Sequence, residues 1–214
     1  MGSFFVVKDG DHASKIAKKL GFRSFRSVWD DPSNATLRQI RPNPNVLLPG
    51  DSIFIRDKED RDEPADTGKR HTFFTIAPSL KLRIVIKDRF DVPLGGEVGT
   101  LDIDGDERPV TTAGDGLIER AIPIDAEGGA LDVVGVALVV GIGRLHPVDH
   151  SSGWLARLNN LGYHAGEVAN PAPSDVRSAV EEFQCDFGLP VVGFAADGTL
   201  DGATQNALLS AHGC

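Results

Sequence analysis

The apolar residues of this chain change their repeat along its length, and that change sets what it can fold into. Near the N-terminus Ala13, Ile16, Ala17 and Leu20 recur every three or four residues, the spacing of one helix face. In the middle Leu80, Leu82, Ile84 and Ile86 alternate with a period of two, as a half-buried strand requires. Towards the C-terminus Trp154, Leu155, Leu158 and Leu161 return to helical spacing, and Gly162 stops the series. One layer of structure cannot serve both periods, so the 214 residues predict two or three domains of mixed type. The 24 glycines and 13 prolines break these patterns into short elements. The most apolar run, Val133–Gly143, is too short to span a bilayer and is interrupted by glycine. The expected fold class is therefore multidomain α+β: a βααβ head, an all-β sandwich in the middle and a small three-helix bundle at the C-terminus.

Charge follows the same segmentation. Residues 1–70 carry 13 basic and 11 acidic side chains, residues 71–145 carry 7 and 12, and residues 146–214 carry 2 and 8. No cluster of Lys and Arg is present to attract a phosphate backbone, so nucleic acid is excluded as a partner. Cys185 and Cys214 do not make a disulfide framework. Two free thiols are expected, with a single clip closing about thirty residues, adding roughly 3 kcal/mol if formed, as the alternative. The start, MGSFFVVKDG, lacks the charged and long apolar stretches of a secretory signal. If the protein works outside the cytoplasm, it is expected to leave by a non-classical route.

Four spans are expected: a head at 1–57, a charged linker at 58–71, a β-rich spacer at 72–145 and a helical domain at 146–214. In the head, Phe4–Val7 reads as a strand, and Asp11 is placed to cap a helix carrying the Ala13 stripe and stopped by Gly21. NATLRQIR predicts a second short helix with Leu37 and Ile40 inward, and Pro49–Gly50 a turn into a strand at Ser52–Ile55. The stretches VVKDGDHASKIAKKLGF, RPNPN and LLPGDSIFI together make this segment resemble a LysM domain. The sequence departs from that family at His12, where Thr or Ser is usual, and in RSFRSVWDDPS, an insertion between the helices. The resemblance implies binding of N-acetylglucosamine-containing glycans between the loops Gly10–His12 and Pro42–Val46. It names Gly10, Asp11, His12, Asn43 and Asn45 as contacts.

From HTFFTIA onward, short β runs (LKLRIVIKD, EVGTLDID, ERPVTTA, LIERAIPI, ALDVVGVALVV) alternate with Gly, Asp and Pro turns, the pattern of a β-sandwich. TTAGDGLIERAIPI is similar to a strand–turn–strand of transthyretin-like and carboxypeptidase-regulatory sandwiches, which implies fold and not activity.

In the last segment a second helix, SDVRSAVEEFQCDFG, has Ser174 as its expected cap and Val176, Ala179, Val180, Phe183 and Phe187 at helical spacing. A third, LDGATQNALL, is expected to be capped by Asp201 with Leu200, Ala207 and Leu208 inward. Leu161-Gly162-Tyr163, Phe183-Gln184, Gly188-Leu189, Gly193, Asp197-Gly198 and Thr204 occur in the order of a peptidoglycan-binding module often attached to cell-wall hydrolases, and the segment resembles that family. The loop EVANPAPS departs from it where an Asp-Gly followed by Phe-Gly is usual. Side-chain amides and one aromatic face suit a sugar ring, and Asn159, Asn160, Tyr163, Asn170 and Gln184 gather at one expected end of the bundle. Each also has a purely structural reading: Tyr163 closing the core, Gln184 bonding a loop, the asparagines solvated.

No catalytic constellation is legible. HPVDH groups His146, Asp149 and His150, but zinc needs three or four convergent ligands and no partner spacing is present, so a polar linker is the stronger reading. DIDGDE begins like a calcium loop, yet its twelfth position is Ala113 rather than Glu, which leaves a solvated hairpin turn. No serine sits in a Gly-x-Ser-x-Gly elbow, Cys185 is flanked by carboxylates that do not activate a thiol, and sequence alone shows no facing carboxylate pair. The expectation is a non-enzymatic wall adaptor without cofactor or metal, whose partner is peptidoglycan or its fragments. Two alternatives stand beside it: an adaptor or cargo of a type VI-like contractile secretion apparatus, contacting its spike proteins, and a wall hydrolase with an unrecognised site.

Overall fold

The computed structural model describes residues 2–58, 66–72 and 79–214. Residues 59–65 of the expected linker and residues 73–77 of the expected HTFFTIA strand lie outside them. Helices and strands are both present, as the mixed periods require. Two compact units divide the chain: one takes in residues up to Val6, 13–39 and 52–142, the other 7–12, 40–51 and 143–214.

In the first unit β1 (Gly2–Val6) pairs antiparallel with β2 (Ser52–Arg56), with Phe4 opposite Phe54 and their rings edge-on at 5.5 Å. Helix α1 (Ala13–Lys19) buries Ala13, Ile16 and Ala17, the stripe read from the sequence. It ends at Gly21, whose φ of 73° lets its own N–H reach the Lys18 carbonyl and the Phe22 N–H reach that of Ala17. Those two bonds satisfy carbonyls that the helix end would otherwise orphan. The apparent insertion is part of the fold: it forms α2 (Arg26–Trp29), and Val28 and Trp29 are buried. A 3₁₀ turn, Pro32–Asn34, leads into α3 (Ala35–Ile40). Leu37 is buried there, but Ile40 is 56% exposed, against the expectation that both point inward. Ile40 is the last residue of α3, and the buried position one turn after Leu37 is taken by the next residue, Arg41.

Two buried polar residues tie this region together. Asn34 donates to the carbonyls of Val28 and Phe54, both at 2.9 Å, and accepts from Phe54 N–H at 2.7 Å. Asp31 accepts from Ser33 N–H and from the Arg56 guanidinium, which together hold its carboxyl below the usual range.

The remaining strands of this unit are all antiparallel. β3 (Ser79–Val85) pairs with β6 (Leu117–Pro123), and a second sheet runs in the order β5 (Asp106–Thr111), β4 (Val98–Ile103), β7 (Gly128–Val133), β8 (Val136–Gly141). Inward side chains of both sheets, Leu101, Ile103, Ile118, Ile122, Leu131 and Val133, form one buried cluster on which Leu80, Leu82 and Ile84 pack. DIDGDE makes the β4–β5 turn, with Asp104 and Gly105 at positive φ. ALDVVGVALVV, read as one β run, is two strands. Val134 and Gly135, at φ 55° and 71°, make the tight reversal that joins β7 to β8.

The second unit holds three helices, α4 (Ser151–Asn160), α5 (Pro173–Asp186) and α6 (Gly202–His212). Trp154, Leu155, Leu158, Val176, Ala179, Val180, Phe183, Leu200 and Leu208 form their shared core. Two expectations change. Ser174 is not the cap of α5: the helix starts at Pro173, whose fixed φ and missing N–H suit a first position, so Ser174 falls inside the first turn and donates to Asp175 instead. Phe187 is 46% exposed, because α5 ends one residue earlier; its inner face stacks on Phe183 at 4.4 Å. Asp201 does cap α6, accepting from Ala203 and Thr204 N–H. Both cysteines are free and exposed. Among the described residues no helix is long and apolar enough to cross a membrane.

Candidate functional site

The helical segment builds a cleft from the turn that follows α4. Leu158 and Tyr163 close α4 through a Tyr163 N–H bond to the Leu158 carbonyl at 3.0 Å, and Gly162 supplies the positive φ of 93° that this turn demands. The chain then loops past Ala165, whose side chain is fully buried, and returns to the start of α5. Asn159, Tyr163, His164, Gly166, Asp175 and Ser178 line the open cleft between loop and helix, about 500 Å³ in volume.

Polar capacity in the cleft is unevenly committed. The Asn159 amide is spent on the loop: its oxygen accepts from Ala165 N–H at 2.9 Å and its nitrogen donates to the Gly166 carbonyl at 2.8 Å. Tyr163 donates its hydroxyl to Asp186 at 3.0 Å and sets its ring edge-on against Phe183 at 5.4 Å. Both residues shape the wall of the cleft. His164, Asp175 and Ser178 are exposed on it. Asn170 is exposed and outside the cleft lining, and the Asn160 amide faces the His212 ring nitrogen at 3.0 Å.

Gln184 holds a different position from the one its motif implied. It is fully buried and accepts from Val192 and Gly193 N–H at 3.0 and 2.9 Å while donating to the Gly193 carbonyl and the Thr204 hydroxyl. A buried amide with every lone pair and proton engaged is a scaffold element. It presents the loop Phe187–Val192, which leaves Phe187, Val191 and Val192 half-exposed or more.

The residues singled out in the N-terminal segment lie in the same compact unit as these helices. Asp11 and His12 are buried. Asp11 does not reach into α1: its carboxylate accepts from Lys8 N–H at 3.0 Å, back along the chain. Asn43 accepts from Asn45 N–H at 2.9 Å, a local turn that occupies the Asn43 side-chain oxygen and leaves Asn45 exposed. Gly10 is closely approached: a β-carbon on Gly143 would lie 2.8 Å from its carbonyl oxygen. Asp9 sits 3.5 Å from Arg144 and 3.6 Å from His146 Nε2. Arg41, itself buried, joins Asp51 at 3.0 Å to Asp149 at 3.1 Å.

Three groups of chemical interest went unread in the sequence. Ser152 Oγ lies 2.6 Å from His146 Nδ1 and 2.8 Å from His150 Nδ1, so one hydroxyl is shared by two imidazoles. Ser152 follows His150 by only two residues at the first turn of α4, a spacing with no recognised signature. Arg157 is buried and donates to the carbonyls of His146, Gly153 and Cys214, each at 2.8 Å. Burial pulls its guanidinium below the usual value. The third group is the Cys214 thiol, 3.2 Å from His212 Nδ1. Although Cys214 is exposed, partial desolvation at the chain's end raises its thiol and, with the Arg157 charge, lowers the imidazole, which favours a neutral pair over an activated thiolate. Among the described residues no group of three or more His, Cys, Asp or Glu side chains is placed to hold a metal ion.

No curated protein and no solved structure matches this chain. A family model does: residues 156–208, from the middle of α4 to the middle of α6, match the family described as a putative peptidoglycan binding domain. The cleft-lining residues and Gln184 all fall inside that match, which supports a C-terminal domain that binds peptidoglycan and an association of the protein with the cell wall.

Proposed function

We propose that this protein is a non-catalytic cell-wall adaptor, gripping peptidoglycan through the cleft beside α4 and α5. The observation that carries the reading is the coincidence of the family match at 156–208 with an open cleft of about 500 Å³ inside it. The LysM-like head adds a second weak grip through the exposed part of its loops, such as Asn45. Two weak grips on one chain raise retention on a repetitive polymer through effective concentration. The neutral Cys214–His212 pair and the placement of Ser152 outside the cleft lining favour holding over cutting.

Purified sacculi test this directly. The full chain is expected to co-sediment with sacculi in a saturable manner and to release no soluble muropeptides on prolonged incubation. Absence of co-sedimentation overturns wall binding and leaves protein contacts of the head, as in a secretion spike, as the remaining reading. Release of muropeptides overturns the non-catalytic part.

A further inference from the structure

We infer that residues 143–149 form an intramolecular clasp on the loops of the LysM-like head, so that the head grips an N-acetylglucosamine chain fully only when the clasp opens. The inference rests on the two-grip reading above and supplies the regulation of its weaker grip. It begins with the two loops expected around a sugar, at residues 10–12 and 42–46. Asp11 and His12 are 8% and 2% exposed, Gly10 and Asn43 are half-buried, and of the five expected contacts Asn45 alone is exposed. Sugars are held by polar groups and ring faces that solvent can reach. The first loop, as it stands, offers almost none.

A single stretch of the chain meets both loops. Residues 143–149 lead into α4 and belong to the same compact unit as residues 7–12 and 40–51. At one end the contact is made by backbone. A β-carbon on Gly143 would stand 2.8 Å from the Gly10 carbonyl oxygen and 3.3 Å from His12 Cδ2, and the Gly143 φ is 73°. Glycine is therefore what lets the segment lie this close to the loop. Arg144 and His146 Nε2 then flank Asp9, at 3.5 and 3.6 Å. At the other end Asp149 reaches Arg41, at the base of the second loop, at 3.1 Å, and Asp51 holds Arg41 from its other side at 3.0 Å.

This seal is suited to opening. The side chains of Asp9, Arg144 and Asp149 are each more than half exposed. Ion pairs in that setting add little to stability. Gly143 carries no side chain that leaving the loop would expose. While the clasp is shut, the head offers a glycan only its Asn45 side. Once it opens, the Gly10–His12 backbone and side chains become available as well.

Two variants open the clasp by different means. Gly143→Val drives a side chain at the Gly10 carbonyl, whereas Arg144→Glu combined with Asp149→Lys sets like charges against Asp9 and Arg41. The probe is a soluble tetramer of N-acetylglucosamine, titrated into the ¹⁵N-labelled full chain. Each variant is expected to bind it at least about tenfold more tightly than wild type, with saturable shifts of the Gly10, Asp11 and His12 N–H signals. Unchanged signals from α5 and α6 show that a variant keeps its fold, and if Gly143→Val does not, the charge-reversed pair decides alone. Unchanged affinity in a folded variant, or no binding by any of the proteins, overturns the inference. Retention of wild type on sacculi reads the wall-binding proposal separately. If retention persists while the clasp test fails, that proposal stands on the α4–α5 cleft, and loss of retention removes it whatever the tetramer shows.

Discussion

At the scale of single residues, the side chains that matter most to the C-terminal domain are polar groups sealed inside it. Gln184 satisfies two N–H groups, a carbonyl and a hydroxyl with one amide, so Gln184→Ala leaves several of them dry. The expected cost is about 2–3 kcal/mol, read as a lower midpoint in urea unfolding, with loosened signals in the Phe187–Val192 loop. Arg157→Met keeps the volume and removes the donors, stranding the carbonyls of His146, Gly153 and Cys214. A loss of about 3 kcal/mol is expected in the same measurement. Neither role was legible in advance. Phe183-Gln184 was visible as a motif, but a motif does not say which way a side chain faces, and the Arg157 bonds span 11 and 57 residues of chain. Tyr163 and Asn159, expected as ligand contacts, both line the cleft, because the helical stripe of α4 and its stop at Gly162 place them at that end of the helix. Their inward hydrogen bonds depend on the loop 163–166, which no periodicity describes.

At the scale of elements, the helical stripes were readable because burial acts on one face: Trp154, Leu155 and Leu158 on α4, and Val176, Ala179, Val180 and Phe183 on α5, are all buried. Element ends were harder. Pro173 moved the start of α5 ahead of Ser174, and Val134–Gly135 cut an apparent strand into two. Asp201 was a legible cap because its carboxylate stands directly before the α6 stripe. Asp201→Ala is expected to cost about 1 kcal/mol. The Thr204 hydroxyl, then the Thr204 and Ala203 N–H groups, hold the Asp201 carboxyl below the usual range. A depressed folded-state value means that this contribution is fully present above the ordinary carboxylate range and is lost as pH falls below that range through the depressed value. The stability gap between wild type and Asp201→Ala should therefore close in acid, as thermal melts from pH 7 downward would show. The β8 strand carries a different liability. It lies at the edge of its sheet among the described strands, is uncharged, and exposes Val136, Leu138 and Val139, the last at 93%. Such an edge invites pairing with another chain. Val139→Lys is expected to lower concentration-dependent association in light scattering while leaving the melting temperature nearly unchanged.

At the scale of the whole molecule, the charge is as segmented as the hydrophobic periods are. The net charge of −9 is concentrated in the later segments, and the family match lies in the most acidic of them. Fold class followed from the change of hydrophobic period, because that signal sums over many residues and tolerates local errors. The interplay of distant loops did not: residues 7–12 and 40–51 group with 143–214 through contacts such as Arg41 with Asp149, and no local pattern announces a pairing across 108 residues. The uneven charge also has a practical side. All eight lysines lie at or before Lys87. Amine-directed dyes, crosslinkers or resin coupling through lysine will therefore attach only at positions up to 87 and leave residues 88–214 chemically untouched.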